Sequence, residues 1–306
     1  MNKKNLIPII VLVVLVIAYI IIKTNDNVEK RFQFFGVDSV DITGFELISK
    51  EDTLRLSKTE TGWLINYPVE YPPAKSKIQD LFSKVITAET SNIPISESDN
   101  AFETFNLTDS LGTIIKIIGK NDKTLSEAIV GRSSNYNYSN ARYYNDNKIY
   151  QLTSNITYNL SPKLTTWRQK EIIEVNEEDI AQIEVSFNDT LYTITPTDTL
   201  WLYQGQGQEF AIQENNGALK GILNNAKRLR ASSFIDDEYD KYAAGFSSPV
   251  LSLKVRLFNN DEILCTFSDF EENKYLIKRN EETATLFVVY GHMVKNFKKP
   301  ASEFKT

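Results

Sequence analysis

The chain has 306 residues, of which 42% are hydrophobic, 24% charged and 11% aromatic, a composition that excludes wholesale disorder and suits a globular protein with one or two cores. Its net charge is −6, and about −9 for the part beyond Arg31, which excludes nucleic acid and anionic lipid as general partners of that part. A single cysteine, Cys265, excludes an intramolecular disulfide, and with a single histidine, His292, it excludes the usual zinc sites and any Cys-His or Ser-His-Asp set built without that histidine.

Leu6 to Ile22, LIPIIVLVVLVIAYIII, carries no charge and is flanked by Lys3, Lys4 and Lys23. Lipid satisfies no free peptide group, so a run this apolar predicts a membrane-crossing helix, with residues 1–5 cytoplasmic and the bulk of the chain exported. A cleaved signal peptide is the alternative. The residues after Ile22, however, are Lys23-Thr-Asn-Asp-Asn-Val-Glu-Lys30, without the small pair that cleavage needs, and no cysteine follows for a lipoprotein. Residues 23–36 read as a short linker that ends in Phe32, Phe34 and Phe35, the expected first buried edge of the folded part.

The remainder reads twice. Val37 to Ile42 aligns with Ile180 to Val185, and Glu60-Thr-Gly-Trp63-Leu64 with Asp198-Thr-Leu-Trp201-Leu202, both alternating as half-buried strands do. One helix follows per half: Ile78, Leu81, Phe82, Val85 and Ala88 form an apolar stripe at helical spacing, as do Leu219, Ile222, Leu223, Ala226 and Leu229. A short acidic-start helix comes next in each half, ending in a left-handed stop at Asn106 and at Gly245. Strands then close each half: Thr113–Ile118, Leu125–Val130 and the hairpin 141–152 in the first, Leu251–Leu257, Ile263–Phe267 and the hairpin 274–289 in the second. The expected fold class is α+β: a single N-terminal transmembrane helix (6–22) followed by two duplicated antiparallel-sheet-plus-helix modules, 37–172 and 173–306, with almost no linker near Glu171 to Asn176.

A single amino-terminal anchor, a Trp-containing strand, a Gly-apolar-x-x-Pro stop (Gly245, Phe246, Pro249) and the segment Trp167-Arg168-Gln169-Lys170 together resemble a bacterial family known as a domain of unknown function. That family is commonly encoded beside gliding-motility-type ABC-2 transporter subunits. The first copy departs from the stop pattern at Asn106 and Ser110. The resemblance implies an extracytoplasmic accessory component of an envelope export complex at the bacterial inner membrane, with a membrane-protein partner such as an ABC-type permease, and it carries over no catalytic residue.

No catalytic, cofactor-binding or metal-binding residue is assigned, and the chain reads as a non-enzyme. His292 and Cys265 read as structural, Tyr203 to Gln208 (YQGQGQ) as a turn without phosphate-loop spacing, and Asp236, Asp237, Glu238 and Asp240 as a solvated helix start. The dense Tyr and Asn run gives one candidate partner contact: Tyr136, Tyr138, Tyr143 and Tyr144, beside the plainer reading of a half-buried hairpin. The competing functional expectation is an envelope ligand-binding protein that recognises a polysaccharide, lipid or peptide between its two repeats.

Overall fold

A computed structural model of the chain describes residues 12–17 and 29–305, which divide into two compact units, Met1–Gln169 and Lys170–Thr306. Unit one is built on a nine-stranded antiparallel sheet. Its strands are β1 (Arg31–Gln33), β2 (Ile42–Ile48), β3 (Thr53–Thr59), β4 (Gly62–Tyr67), β5 (Glu89–Ser91), β6 (Thr113–Gly119), β7 (Thr124–Arg132), β8 (Ser139–Tyr143) and β9 (Tyr150–Leu152), ordered β1-β5-β9-β8-β7-β6-β2-β3-β4. The alternation that predicted strands also sorts the core. On β6, Ile115 and Ile117 enter the main cluster with Phe45, Leu47, Leu81 and Trp167, while Ile114 points to the opposite face with Leu107, Ile129 and Ile149.

Unit two carries β10 (Glu171–Glu174) and β15 (Arg228–Arg230), which pair with each other, and a second nine-stranded sheet. That sheet contains β11 (Ile180–Phe187), β12 (Thr190–Pro196), β13 (Trp201–Gly205), β14 (Gln208–Ile212), β16 (Ser233–Asp236), β17 (Leu251–Leu257), β18 (Glu262–Glu271), β19 (Lys274–Arg279) and β20 (Thr285–Tyr290). Its order is β14-β13-β12-β11-β17-β18-β19-β20-β16. Eight strands therefore follow one another in the same order in both sheets, with β1 added at one end of the first and β14 at the opposite end of the second.

The helices are short: α1 (Lys75–Asp80), continued without a break by a π-helix over Leu81–Ile86, α2 (Leu164–Trp167), α3 (Gly217–Lys227), α4 (Tyr239–Ser247) and α5 (Gly291–Phe297). Leu81 and Val85, and on α3 Leu219, Ile222, Leu223 and Ala226, are buried, so the apolar stripes face the sheets. Asn216 caps α3, its side-chain oxygen accepting from the Leu219 N–H at 2.9 Å.

This architecture corrects the expected class. The described residues form mostly antiparallel sheet, and none of their helices is long and apolar enough to cross a membrane. Residues 12–17 are helical, and the rest of Leu6–Ile22, with residues 1–5 and 23–28, lies outside the described residues. Three local readings also change. The 23–36 stretch is not all linker, because β1 pairs with β5, and Phe34 and Phe35 are buried while Phe32 stays partly exposed. The two units divide between Gln169 and Lys170, and Glu171–Glu174, in the expected junction, form the strand β10. Gly245 lies inside α4 and not at a left-handed stop; positive φ is found at Asn106 (58°), whose neighbour Leu107 donates to Phe102 O at 2.8 Å, closing that turn.

Candidate functional site

A hollow in unit one is built by the β3–β4 hairpin, the segment before β2, and α1 with its π-helix. α1 runs into the π-helix, whose wider turn is tied by Ser83 Oγ donating to Gln79 O and Thr87 Oγ1 donating to Ser83 O, each at 2.7 Å. Its Phe82 leans on Trp63 of β4, with ring centroids 5.8 Å apart, and both rings rest on Phe45 at 5.7 and 5.4 Å. The result is an open cleft of about 960 Å³ with an apolar floor of Val37, Trp63, Ile78, Phe82 and Ile86, and a polar rim that includes Lys58, Asp38 and Gln79. On its wall Val40 is 73% exposed, held out by a 3₁₀ turn over Ser39–Asp41 in which Asp38 Oδ1 accepts from Val40 N–H at 3.1 Å.

Unit two has a smaller hollow, about 480 Å³, lined by Glu177, Glu178, Ile180, Pro196, Trp201 and Phe258. Register shows that the two hollows are equivalent. A 3₁₀ turn precedes Ile42 and Ile180, a bulge follows each, and the cross-strand pairs Lys58–Trp63 and Pro196–Trp201 occupy the same place. The chemistry differs. Lys58 is replaced by Pro196, and Ser39 and Val40 of the turn by Glu177 and Glu178, of which Glu177 pairs with Lys227 at 3.1 Å.

The sequence-derived candidates are dispersed. Tyr136 is 84% exposed, and Tyr138 lines a different hollow with Ile93, Pro94 and Ile95. Tyr143 stacks on Phe34 at 4.6 Å and its hydroxyl donates to Phe34 O; burial, reinforced by Tyr150 and Asp146, pushes that phenol above its ordinary range. Tyr144 packs against the cluster on the other face and donates to Asp109 Oδ2 at 3.3 Å. Tyr143 and Tyr144 pack in different clusters and Tyr136 and Tyr138 precede β8, so the four tyrosines do not form one surface.

Most of the other polar groups that the sequence singles out are paired or buried. His292 is exposed beside the Tyr290 ring, and Cys265 is fully buried, its thiol pushed up to about 12 by burial against a weaker opposite pull from Arg279. Asp236 Oδ1 accepts from Thr285 Oγ1 at 2.8 Å, and Glu238 pairs with Lys241 at 2.9 Å. Among the described residues, no group of three or more His, Cys, Asp or Glu side chains could hold a metal ion. Gln206 and Gly207, with φ of 51° and 72°, make the tight turn of the β13–β14 hairpin. Sequence reasoning missed Arg142, buried and donating to the carbonyls of Leu107 (3.1 Å) and Tyr144 (2.6 Å) under the Phe102 ring (4.1 Å); Arg168, of the Trp167-Arg168 segment, is buried over the Tyr71 ring at 4.1 Å. The signal for Arg142 was a long basic side chain within a strand, between Ala141 and Tyr143.

Residues 63–249 match a family model described as a domain of unknown function, DUF4340. The chain belongs to the DUF4340 family. The DUF4340 match opens on Trp63 itself, crosses from unit one into unit two, and stops at Pro249, ahead of β17. It therefore contains all three tryptophans, Trp63, Trp167 and Trp201, and follows neither unit as a whole. Among curated proteins the chain has no match.

Proposed function

We propose that this DUF4340 protein is a non-enzymatic interaction component of a bacterial envelope transport complex. Its folded units lie on the extracytoplasmic side of the inner membrane and engage a membrane-protein partner of the ABC-type permease class. The observation that supports an interaction role is the cleft at Trp63. An aromatic floor open to solvent, flanked by a valine held 73% exposed on a capped turn, is the kind of apolar feature that a partner side chain covers. The transporter assignment rests on the family resemblance. Protein partners gain most where a central apolar anchor enters such a pocket and a polar rim, here Lys58, Asp38 and Gln79, closes around it.

The test is photo-crosslinking in cells from a benzoylphenylalanine placed at Val40 of the full-length chain, followed by purification in mild detergent and identification of the adducts by mass spectrometry. A permease adduct, lost when Trp63-facing residue Lys58 is changed to Glu, is the expected result. Recovery of the protein with no adduct, or with adducts to abundant envelope proteins that Lys58→Glu leaves unchanged, overturns the reading.

A further inference from the structure

We infer that the outer edge of β14 is a self-association surface that joins two copies of this chain through a continuous antiparallel sheet. β14 is the terminal strand of the second sheet and pairs with β13 through Gly205–Gln208, Gln204–Glu209, Tyr203–Phe210, Leu202–Ala211 and Trp201–Ile212. The connection is a two-residue turn with positive φ at both positions, so Gly205–Gln208 is a hydrogen-bonded pair and the pairs alternate from there. The backbone groups of Gln208, Phe210 and Ile212 then face β13, and those of Glu209 and Ala211 face outward. Among the described residues no backbone hydrogen bond engages the Glu209 or Ala211 main chain on that side.

The other ends of the two nine-stranded sheets are covered or shorter than β14, β16 having only four residues. On β4, the counterpart of β13, Ile65 and Tyr71 exchange N–H···O bonds of 2.9 and 3.0 Å, and β1 is only three residues long. β14 has five residues, Gln-Glu-Phe-Ala-Ile, with no proline, lysine or bulge to repel a second strand.

Side chains select the second copy as occupant. In the twofold register centred on Phe210, all five residues pair: Gln208 with Ile212 of the second copy, Glu209 with its Ala211, and Phe210 with its own equivalent. The outward residues fall in hydrogen-bonded pairs, as their backbone requires, and each acid faces an alanine rather than another acid. A register centred on Glu209 would oppose like charges. On the core-facing side, Tyr192, Tyr203 and Phe210 already form a stack with centroids 5.5 and 4.8 Å apart, and the twofold axis extends it through the second Phe210. Lys305, with Nζ 5.0 Å from the Phe210 centroid, covers the end of that stack on a flexible stem and turns aside on pairing.

The test uses the full-length chain in a mild non-ionic detergent and reads disulfide formation on a non-reducing gel. Opposed residues of a non-hydrogen-bonded pair lie within disulfide reach, so Phe210→Cys should link to itself and run at twice the chain mass under mild oxidation, whereas Gln208→Cys, opposite Ile212, should not. Cys265, being buried, supplies no competing thiol. Adding Ala211→Pro, which removes an outward N–H and no internal one, should abolish the Phe210→Cys band. Three outcomes overturn the inference: no double-mass band from Phe210→Cys, equal bands from both cysteine positions, or a band to a different polypeptide. If Ala211→Pro does not fold, Phe210→Cys against Gln208→Cys still decides.

Discussion

A Cβ placed on Gly245 would stand 1.9 Å from Ser268 Oγ and 3.0 Å from Ser268 Cβ, so α4 lies directly against β18. The matching strand position in unit one is Gly131: Val130 pairs with Thr113 as Phe267 pairs with Leu251, at the first residues of β6 and β17. There a Cβ would stand 2.2 Å from Asn106 O. Each close approach is kept by one glycine, on the helix in one unit and on the strand in the other. Gly245→Ala gains up to ~1 kcal/mol of helix propensity but presses on Ser268, whose hydroxyl can rotate while its Cβ cannot; a net loss of about 1 kcal/mol is expected. Ser268→Gly should restore most of it. Gly131→Ala meets backbone, which cannot rotate away, and should cost about 2–3 kcal/mol with no rescue from the Asn106 side chain. Urea midpoints of Gly245→Ala, of Gly245→Ala with Ser268→Gly, and of Gly131→Ala check this, and equal losses at the two glycines would refute it.

Arg142 is 8% exposed and has no carboxylate among its hydrogen-bond partners in the described residues; its guanidinium instead gathers the carbonyls of Leu107, Tyr143, Tyr144 and Asp146. Lysine keeps the charge but has no planar fork to reach several carbonyls at once. Arg142→Lys should therefore cost roughly 2–3 kcal/mol, mostly through carbonyls left unsatisfied. Amide exchange should accelerate around Leu107 and Asp146 before it does in β2. An unfolding midpoint within error of the wild type would show that solvent replaces the guanidinium freely.

What the sequence made legible was local. The stripes of α1 and α3, the Trp-bearing third strands and the closing hairpins follow from periodicity, and these elements form. Pairing across the chain was not legible. Aligning Ile42 with Val185 put the halves out of step by five residues, because both positions start or sit in alternating apolar runs; the structure matches Ile42 with Ile180 through the preceding 3₁₀ turn and the following bulge. Gly245 looked like a helix stop because glycine serves both left-handed caps and close packing, and only the position of Ser268 separates the two uses. The cleft was hidden for a similar reason. Val37, Trp63, Ile78 and Phe82 come from distant segments, and the π-helix that brings Phe82 to Trp63 has the same residue pattern as an α-helix.

Glu171 titrates below its ordinary value: burial raises it, but its own backbone amide and the guanidinium groups of Arg230 and Arg228, at 3.1 and 3.4 Å, outweigh burial. A carboxylate whose folded pKa is depressed adds stability above its unfolded pKa and loses it as pH falls through the folded value. Both arginines are half exposed, so solvent screening holds the pair to below about 1 kcal/mol. Glu171→Gln should lower stability at neutral pH and flatten the acid limb below about pH 4.5, where an unshifted glutamate protonates. Thermal midpoints taken across that range check the sign, and parallel acid limbs for the two proteins would refute it.

Cys265 tests the core of unit two from the alkaline side. It is fully buried on β18, opposite Leu253 and Arg279, and burial pushes its thiol up to about 12, with Arg279 pulling weakly the other way. An unfolded cysteine ionises near 8.5, so the folded chain holds a proton that the unfolded chain has lost. The sign follows from that difference: stability from the neutral thiol is complete below about pH 8.5 and declines as pH rises toward the folded value. The native thiol should resist an aromatic disulfide reagent at about pH 8.5 and react within seconds in strong denaturant. Cys265→Ala should lose about 1–2 kcal/mol at neutral pH through the void it leaves, and less than that relative to wild type at alkaline pH, where the wild type alone carries the ionisation penalty. Rapid labelling of the native protein would mean that β18 opens locally far more often than a strand in the middle of a nine-stranded sheet should.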